Sequence, residues 1–427
     1  MTATGSPVRL PDWLKRTLFN REYQRYVYSM LADREKVREA ARTLSRERRK
    51  SRRSFLHNSI VSGLVKSNLP DSQKDFYRVD VGTQRENVPE NRYYAIEPFD
   101  RTRVVIGQNA EGKGRYLNAN WVRELHGGHW WIATQAPLPN TAHTFLSLFL
   151  QPDTRPPSNL TPPDSLGPQP CRLRTTVQLT MTTEGGRTKA HPYFPAQVGG
   201  SYIIPAPEGC KDPALKISLE AEQEDEWAAC IQSTLRLVHC TQPSGEQDML
   251  RYSRVEELDE PVFFTHLLFT HWPDFGVPEG PAEKACLLSF ARLVARVNLT
   301  APPNSSSNTD LHPDPPIVVN CSAGVGRSGS FIALNSLLRA HGMLLPEYNR
   351  ISPQSFPPLP PSPQGPLPSD LAEDEVALEV DSLREQRTSM VQRPEQQMLI
   401  YELLAAAYHE AEERANEESI SNKKSSR

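Results

Sequence analysis

Residues 317–338 read IVVNCSAGVGRSGSFIALNSLL, a stretch with one cysteine, one arginine, three glycines and four serines. The β-branched run before Cys321 predicts a buried strand, and the apolar spacing after Arg327 predicts a helix. A loop of small residues, 322–326, joins them, and its glycines allow unusual backbone angles and close approach to a ligand. Unpaired amides and the positive end of a helix dipole then meet at one point. The stretch therefore predicts an anion-binding loop in an α/β fold.

Cys321 lies at the mouth of this loop. Amides, the helix N-terminus and the Arg327 guanidinium all stabilise a thiolate there, which lowers the pKa of the thiol. Arg327 also offers a planar, bidentate donor suited to phosphate. A lone cysteine is more often a small buried hydrophobe. Here the arginine, the glycines and the order of elements favour a nucleophile held against a tetrahedral oxyanion.

A second motif supplies the acid that this chemistry requires. Attack on a phosphate monoester expels an oxygen that needs a proton from a carboxylic acid or an imidazole. Residues 269–281 read FTHWPDFGVPEGP and place Asp274 between Trp272 and Phe275 on a proline-bearing loop. Such a loop can close over a bound ring as a unit and bring its carboxylate into place. The alternative is a surface turn that happens to contain an aspartate.

The segment CSAGVGRSG resembles the Cys-x5-Arg-Ser/Thr signature of the protein tyrosine phosphatases. The resemblance implies that Cys321 is the nucleophile and that Asp274 is the general acid and base. It further implies a phosphate-binding set made of Arg327 and the loop residues Ser322, Ala323, Gly324, Val325 and Gly326, with Ser328 as a hydrogen-bond partner of the thiolate. The signature alone does not separate tyrosine-specific members from dual-specificity or lipid-directed ones.

Three further motifs extend the resemblance over about residues 60–410. ENRYYAIEPFDRTRVVI (90–106) resembles the phosphotyrosine-recognition loop, in which Tyr93 stacks on the substrate ring and sets the depth of the pocket. TTEGGRTKAHPYFP (182–195) resembles the loop whose glutamate, Glu184, pairs with the phosphate-binding arginine. REQRTSMVQRPEQQMLIY (384–401) resembles the glutamine loop and implies that Gln392 and Gln396 position water. Phe275 joins Tyr93 as an expected contact of the substrate.

Two positions depart from the family pattern. Asn320 stands where the family has a histidine before the nucleophile, and an amide carries no proton that titrates near neutral pH. We therefore expect the pKa of the thiol to lie above the family norm. Ala95 stands where many members have an aspartate or asparagine that holds the substrate backbone, so we expect weaker peptide binding with unchanged chemistry.

The composition of the chain limits the number of domains, the compartment and the classes of ligand that we expect. The chain has 427 residues with a net charge of -3, which suits one large domain or two ordinary ones and gives no reason to expect nucleic-acid binding. Six cysteines without paired spacing indicate a reducing compartment and hence a cytoplasmic protein. The start of the chain lacks the apolar core of a signal peptide, and no run approaches the ~20 apolar residues of a membrane span. No cluster has metal-ligand spacing, so we expect neither a metal nor a cofactor.

The fold predicted is α/β: a single phosphatase domain, residues 60–410, with a twisted, mostly mixed central sheet flanked by helices. Residues 1–59 form a helical, basic extension and residues 411–427 a polar tail. Pro-rich insertions lie near 151–170, 301–316 and 345–375. The predicted strands are 103–106, 116–122, 130–136, 174–180, 233–240, 261–272 and 317–320, and the predicted helices are 12–58, 141–151, 282–297, the segment after Arg327, and 393–408.

Two segments carry a possible second role. Residues 351–370 contain P-x-x-P spacing suited to an SH3-type groove, against the alternative of an unstructured insertion. The basic run 46–53 fits a nuclear-import or phosphate-lipid patch, against the alternative of a solvated helix end. The insertions and divergent motifs are of the kind expected for a fungal member.

The sequence predicts an enzyme that hydrolyses phosphotyrosine in proteins through a phosphocysteine intermediate. Two alternatives remain open. One is a catalytically weak or silent module that binds phosphotyrosine in the same loop. The other is a dual-specificity or lipid phosphatase, which would usually lack the Tyr93 loop.

Overall fold

The structure, a computed structural model, describes residues 10–51, 69–107, 114–161, 163–241, 255–273, 276–300, 311–345 and 357–425. Its helices are α1 (Asp12–Phe19), α2 (Arg21–Ser51), α3 (Asp71–Phe76), α4 (Ala142–Leu150), α5 (Pro281–Leu299), α6 (Gly326–Ala340), α7 (Glu375–Gln386) and α8 (Pro394–Ser425). Its strands are β1 (Ala119–Arg123), β2 (Trp130–Gln135), β3 (Thr175–Gln178), β4 (Thr183–Glu184), β5 (Arg187–Thr188), β6 (Ser201–Ile204), β7 (Ala214–Asp225), β8 (Cys230–Cys240), β9 (Val262–Phe269) and β10 (Ile317–Cys321).

One large sheet organises the chain. Eight strands follow the order β1-β2-β10-β3-β9-β8-β7-β6, and β4 and β5 form a separate hairpin. The centre is parallel, because β10 pairs with β2 and β3, and β3 pairs with β9, in the same direction. The outer pairs are antiparallel. The predicted α/β class with a mixed central sheet flanked by helices is confirmed.

The central strand β10 is covered on both faces, which explains its continuous apolar sequence. Val319 points into a core shared with α5 and α6, and Val318 points into a second core shared with α4. This double burial fixes the end of β10, and therefore Cys321, in the middle of the molecule.

The N-terminal helices belong to the main core. Leu14 in α1, and Val27 and Leu31 in α2, are fully buried in the cluster that also contains residues of β10 and α6. The helical character predicted for residues 12–58 is confirmed as far as Ser51, and residues 52–58 lie outside the described residues. The proposed boundaries of the domain and its extension stay predictions.

Several elements differ from expectation. Residues 103–106 make two isolated bridges, Arg103 with Asn120 and Ile106 with Arg115, and no regular strand. The strands β6 and β7 and the helix α7 were not predicted. The second half of β7 reads EAEQED and is exposed, so it has no apolar alternation to signal a strand.

The third Pro-rich segment is partly structured. Residues 346–356 lie outside the described residues, but 362–365 contact α2 and α3. Arg34 donates to the carbonyls of Gly365 (2.8 Å) and Gln364 (3.4 Å), and Gln73 donates to that of Pro363 (3.3 Å). Leu367 is buried. The interpretation as an unstructured insertion is wrong for this part of the segment.

Candidate active site

Cys321 ends β10 and is 6% exposed. Burial by itself raises the pKa of its thiol, but hydrogen bonds from the hydroxyl and amide of Ser328, the Arg327 charge and the Val325 amide together bring the pKa below its ordinary value. The Ser328 hydroxyl has no other hydrogen-bond partner in the described residues. The local environment therefore favours the thiolate.

The loop after Cys321 turns its carbonyls outward. The Ser322 carbonyl accepts from the Ala136 amide (3.0 Å), and the Val325 carbonyl accepts from the Val391 amide (3.3 Å). The carbonyls of Ala323 and Gly324, which lie between these two in the chain, accept from the side chain of one buried arginine, Arg387. Because each trans peptide points its N–H opposite to its C=O, the amides of residues 323–326 face the other way, toward the sulfur side of the loop. This is the concave arrangement of amides that binds anions.

Gly324 is required by this geometry. Its φ is +70°, in the left-handed region, and a Cβ built there would lie 2.0 Å from the Thr134 carbonyl oxygen of β2. Any side chain would push the loop away from the sheet. The close approach of the loop to β2 thus explains why a residue without a side chain is needed at position 324.

Arg327 is held by Glu184 in a bidentate ion pair. The two guanidinium nitrogens donate to the two carboxylate oxygens at 2.6 and 2.8 Å. Burial raises the pKa of Glu184, but the bonds from Arg327 and Thr180 outweigh it and leave the pKa below its ordinary value. The carboxylate is therefore charged and orients the guanidinium for a second anion.

Tyr93 lies beside the loop. Its hydroxyl is 2.7 Å from the Ser322 hydroxyl, which donates in turn to the Lys189 carbonyl (2.7 Å). The Tyr93 side chain is exposed at 37%. The three segments predicted to meet here, around residues 93, 189 and 322, are adjacent.

The glutamine loop lies over the start of α6. Val391 has φ +54°, a rare conformation for a β-branched residue, and its amide reaches the Val325 carbonyl. Gln392, which follows, is exposed. Gln396 is buried, and its amide atoms lie 2.8 Å from where a Cβ on Gly326 would stand. A strained backbone conformation such as that of Val391 is stable only where neighbouring groups enforce it.

Asp274 and Phe275 lie outside the described residues, so their roles stay predictions. The residues before them are in place. Trp272 is buried, and its indole N–H reaches the Gly276 carbonyl (3.3 Å) across the loop. The Pro273 carbonyl accepts from Arg327 (3.1 Å). The residue before Asp274 in the chain is thereby bonded to Arg327.

Arg387 is a site residue that the sequence did not reveal. It is fully buried and donates to the carbonyls of Gly324 (2.8 Å) and Ala323 (3.1 Å). Its Nη1 donates to the side-chain oxygen of Asn120 (2.8 Å), and the Nη2 that reaches Ala323 also donates to that of Asn118 (3.0 Å). Burial lowers the pKa of Arg387 to about 10. This arginine holds the back of the loop so that the amides face the sulfur.

Asn320 is fully buried behind the nucleophile. Its amide nitrogen donates to the Cys321 carbonyl (3.3 Å), and its oxygen has no hydrogen-bond partner in the described residues. His266, buried on the same side of the sheet, has a pKa lowered to about 4 by burial and is neutral. The side chain at 320 therefore brings no positive charge to the thiolate.

The family model described as protein-tyrosine phosphatase matches residues 87–165 and 169–342, more than half of the chain. This chain belongs to the protein-tyrosine phosphatase family. The matched range includes Tyr93, Glu184, Cys321 and Arg327.

Named relatives agree with the family. Receptor-type tyrosine-protein phosphatase eta of Mus musculus is 29% identical over 59% of this chain and 16% of its own length. Receptor-type tyrosine-protein phosphatase V of Rattus norvegicus is 31% identical over 60% of this chain and 12% of its own. The human non-receptor type 14 enzyme is 27% identical over 75% and 21%. The chain thus spans less than a quarter of the length of these relatives.

A solved structure, the catalytic domain of human protein tyrosine phosphatase non-receptor type 18, is 24% identical and covers 77% of this chain and 88% of its own, with a TM-score of 0.49.

Within the described ranges, no helix is long and apolar enough to cross a membrane. The same ranges contain no group of three or more His, Cys, Asp or Glu side chains placed to hold a metal ion.

Proposed function

We propose that this chain hydrolyses phosphotyrosine in proteins. The observation that carries the proposal is the combination at one point of a cysteine with a lowered thiol pKa and an arginine fixed by a buried carboxylate. A nucleophile and an oxyanion-binding group on the same loop suit phosphoryl transfer to sulfur.

The mechanism has two steps. The phosphate docks on the amides of 323–326 and on Arg327, and the Cys321 thiolate attacks phosphorus in line as the bond to the tyrosyl oxygen breaks. Asp274 gives its proton to that oxygen. Water then attacks the phosphocysteine, with Asp274 as base and Gln392 and Gln396 as positioning groups, and releases phosphate and the free thiolate. The amides and Arg327 stabilise the charge on the equatorial oxygens in both steps.

Tyr93 supports a preference for phosphotyrosine over phosphoserine. A pocket with an aromatic wall rising from Ser322 accepts a long aryl phosphate, whereas the shorter phosphoserine cannot bring its phosphorus to Cys321. The same argument disfavours the dual-specificity alternative. The silent reader is disfavoured because Cys321, Arg327 and Asp274 are all present in the sequence.

The cellular setting follows from the same chemistry. We place the enzyme in the cytoplasm, where a reactive thiolate stays reduced, and in signal transduction through phosphotyrosyl proteins. An SH3-type partner at 351–370 is a further proposal. Because Arg34 already holds the carbonyls of Gln364 and Gly365, such a partner would have to displace this segment from α2.

The test compares phosphate release from matched phosphotyrosyl and phosphoseryl peptides under reducing conditions, for the wild type and Cys321→Ser. We expect release from phosphotyrosine alone and its loss in the variant. Equal release from both peptides would indicate a dual-specificity enzyme. Tight phosphotyrosine binding without release in either form would indicate a reader.

A further inference from the structure

The C-terminal half of α2 lies directly behind the loop that carries Tyr93. Ala41 packs with Tyr77, Val79 and Phe99 in a small separate core. One turn later, the Ser45 hydroxyl accepts from the Val79 amide (3.1 Å). These contacts place the next residue of the helix, Arg46, against residues 95–97 of the recognition loop.

Arg46 is buried, at 8% exposure, and reaches the loop with two groups. Its Nε and Nη2 donate to the Glu97 carboxylate at 2.9 to 3.2 Å, and Nη2 also donates to the Ala95 carbonyl (3.1 Å). Its Nη1 reaches Glu39 in α2 (2.9 Å). Burial lowers the pKa of Arg46, but the two carboxylates outweigh it and leave the pKa raised, so the guanidinium is charged. The first residue of the basic run 46–53 is thus neither solvated nor available to another partner.

The Ala95 carbonyl is a sensitive place to hold. Ala95 has φ +68°, a left-handed conformation that is unfavourable for a residue with a Cβ and without a local polar side chain. Such a conformation persists when neighbouring groups enforce it. Here Arg46 holds the carbonyl of Ala95, and Asn118 holds the next carbonyl, of Ile96 (2.6 Å). Tyr93 and Tyr94, whose side chains are exposed, directly precede Ala95 in this loop.

We propose that Arg46 is a positioning residue for substrate recognition: it holds the left-handed turn at Ala95 and thereby sets the orientation of Tyr93 against the catalytic loop. The inference rests on the proposed function. It gives α2 a role in the enzyme's affinity for aryl phosphates, since the hydrogen bonds of Arg46 go to Glu39, Ala95 and Glu97.

The test uses Arg46→Ala with Arg42→Ala as the matched control. Arg42 lies one turn earlier and is also buried, at 1% exposure. It donates to Glu35 and Glu39 within α2, and among the described residues it has no hydrogen bond to 91–97. For Arg46→Ala we expect KM for a phosphotyrosyl peptide to rise about tenfold, the size of one lost charged hydrogen bond, with kcat within about twofold of wild type. The pH profile of Cys321 alkylation stays unchanged, and Arg42→Ala shows no rise in KM.

Two outcomes overturn the inference: a wild-type KM in Arg46→Ala, or equal changes in the Arg46 and Arg42 variants. If Arg46→Ala does not fold, Arg46→Lys keeps the charge near Glu97 but cannot hold all three partners, and it should still raise KM. If the wild type hydrolyses nothing, the proposed function fails. The role of Arg46 is then decided by calorimetric binding of the same peptide, where Arg46→Ala must bind about tenfold more weakly than Arg42→Ala.

Discussion

Replacement of Arg387 by lysine tests how the phosphate-binding loop is built. Arg387 makes four hydrogen bonds, two to loop carbonyls and two to asparagine side chains, and is fully buried. Lysine keeps the positive charge but carries its three donors on a single nitrogen. A point ammonium cannot span acceptors that the planar guanidinium reaches on separate atoms.

The magnitude follows from the bonds lost. Because lysine has three donors for four acceptors, at least one acceptor loses its hydrogen bond. We expect two bonds to be lost, because a single nitrogen cannot reach acceptors that three separate atoms of arginine reach. Each hydrogen bond to a charged group contributes about 1.5–3 kcal/mol, so Arg387→Lys should lower the free energy of unfolding by about 3 kcal/mol. Where a lost bond is one to the Gly324 or Ala323 carbonyl, the loop loses a restraint on the orientation of the amides of 323–326. We expect kcat/KM to fall by about 100-fold, comparable with the loss of a preorganised oxyanion donor.

The assay pairs steady-state kinetics with urea unfolding at a temperature where each variant is folded. Arg174→Lys is the control, since Arg174 is also buried and donates to the carbonyls of Asn298 (2.7 Å), His312 (3.1 Å) and Pro313 (2.5 Å), away from the catalytic loop. Both variants should lose stability, but only Arg387→Lys should lose activity. Equal kcat/KM in the two variants would refute the role assigned to Arg387.

Three further predictions concern single polar or charged side chains, two of them beside Arg327 and Cys321 and the third in α7. Glu184→Gln should lower kcat/KM for a phosphopeptide at least about tenfold because Arg327 loses its charged bidentate partner, and an unchanged kcat/KM would contradict this. Asn320→His should lower the pKa of Cys321 further by adding a positive charge, measured as the pH dependence of iodoacetamide alkylation; an unchanged profile would remove Asn320 as a tuning residue. Burial raises the pKa of Glu379 to about 8 from 4.5 in the unfolded chain, so its stabilising effect is complete below about 4.5 and is lost as pH rises through 8. Glu379→Gln should flatten the fall in unfolding free energy between about pH 4.5 and 8, and a slope equal to wild type over that range would contradict the assignment.

The part of the fold nearest the chemistry was the most predictable. The run before Cys321 is apolar because β10 is buried on both faces, and the small residues after it are required where Gly324 meets β2. These constraints act within a few residues of chain, so local sequence carries them.

Other parts depend on partners distant in sequence. Arg387 lies in a polar stretch, EQRTS, and nothing local distinguishes it from a surface arginine. Arg387 directly follows the end of α7 and contacts a loop at Gly324, which lies 63 residues earlier in the chain. Arg46 is similar: a basic run reads as a solvated helix end until Glu97 and the Ala95 carbonyl are placed beside it.

The exposed half of β7 and the docked segment 357–370 were missed for a related reason. Both are polar or proline-rich, and both are held through their backbone atoms, which pair with β8 in one case and accept from the Arg34 side chain in the other. Backbone bonds leave little trace in side-chain composition.

The most direct test of the central claim is capture of phosphate on Cys321. Wild-type protein is mixed with excess phosphotyrosyl peptide, denatured within milliseconds and digested, and the peptide containing Cys321 is analysed by mass spectrometry. We predict a phosphorylated Cys321 that appears with the first turnover and is absent in Cys321→Ser. Phosphate release without any label on Cys321, or equal release by Cys321→Ser, would contradict the account.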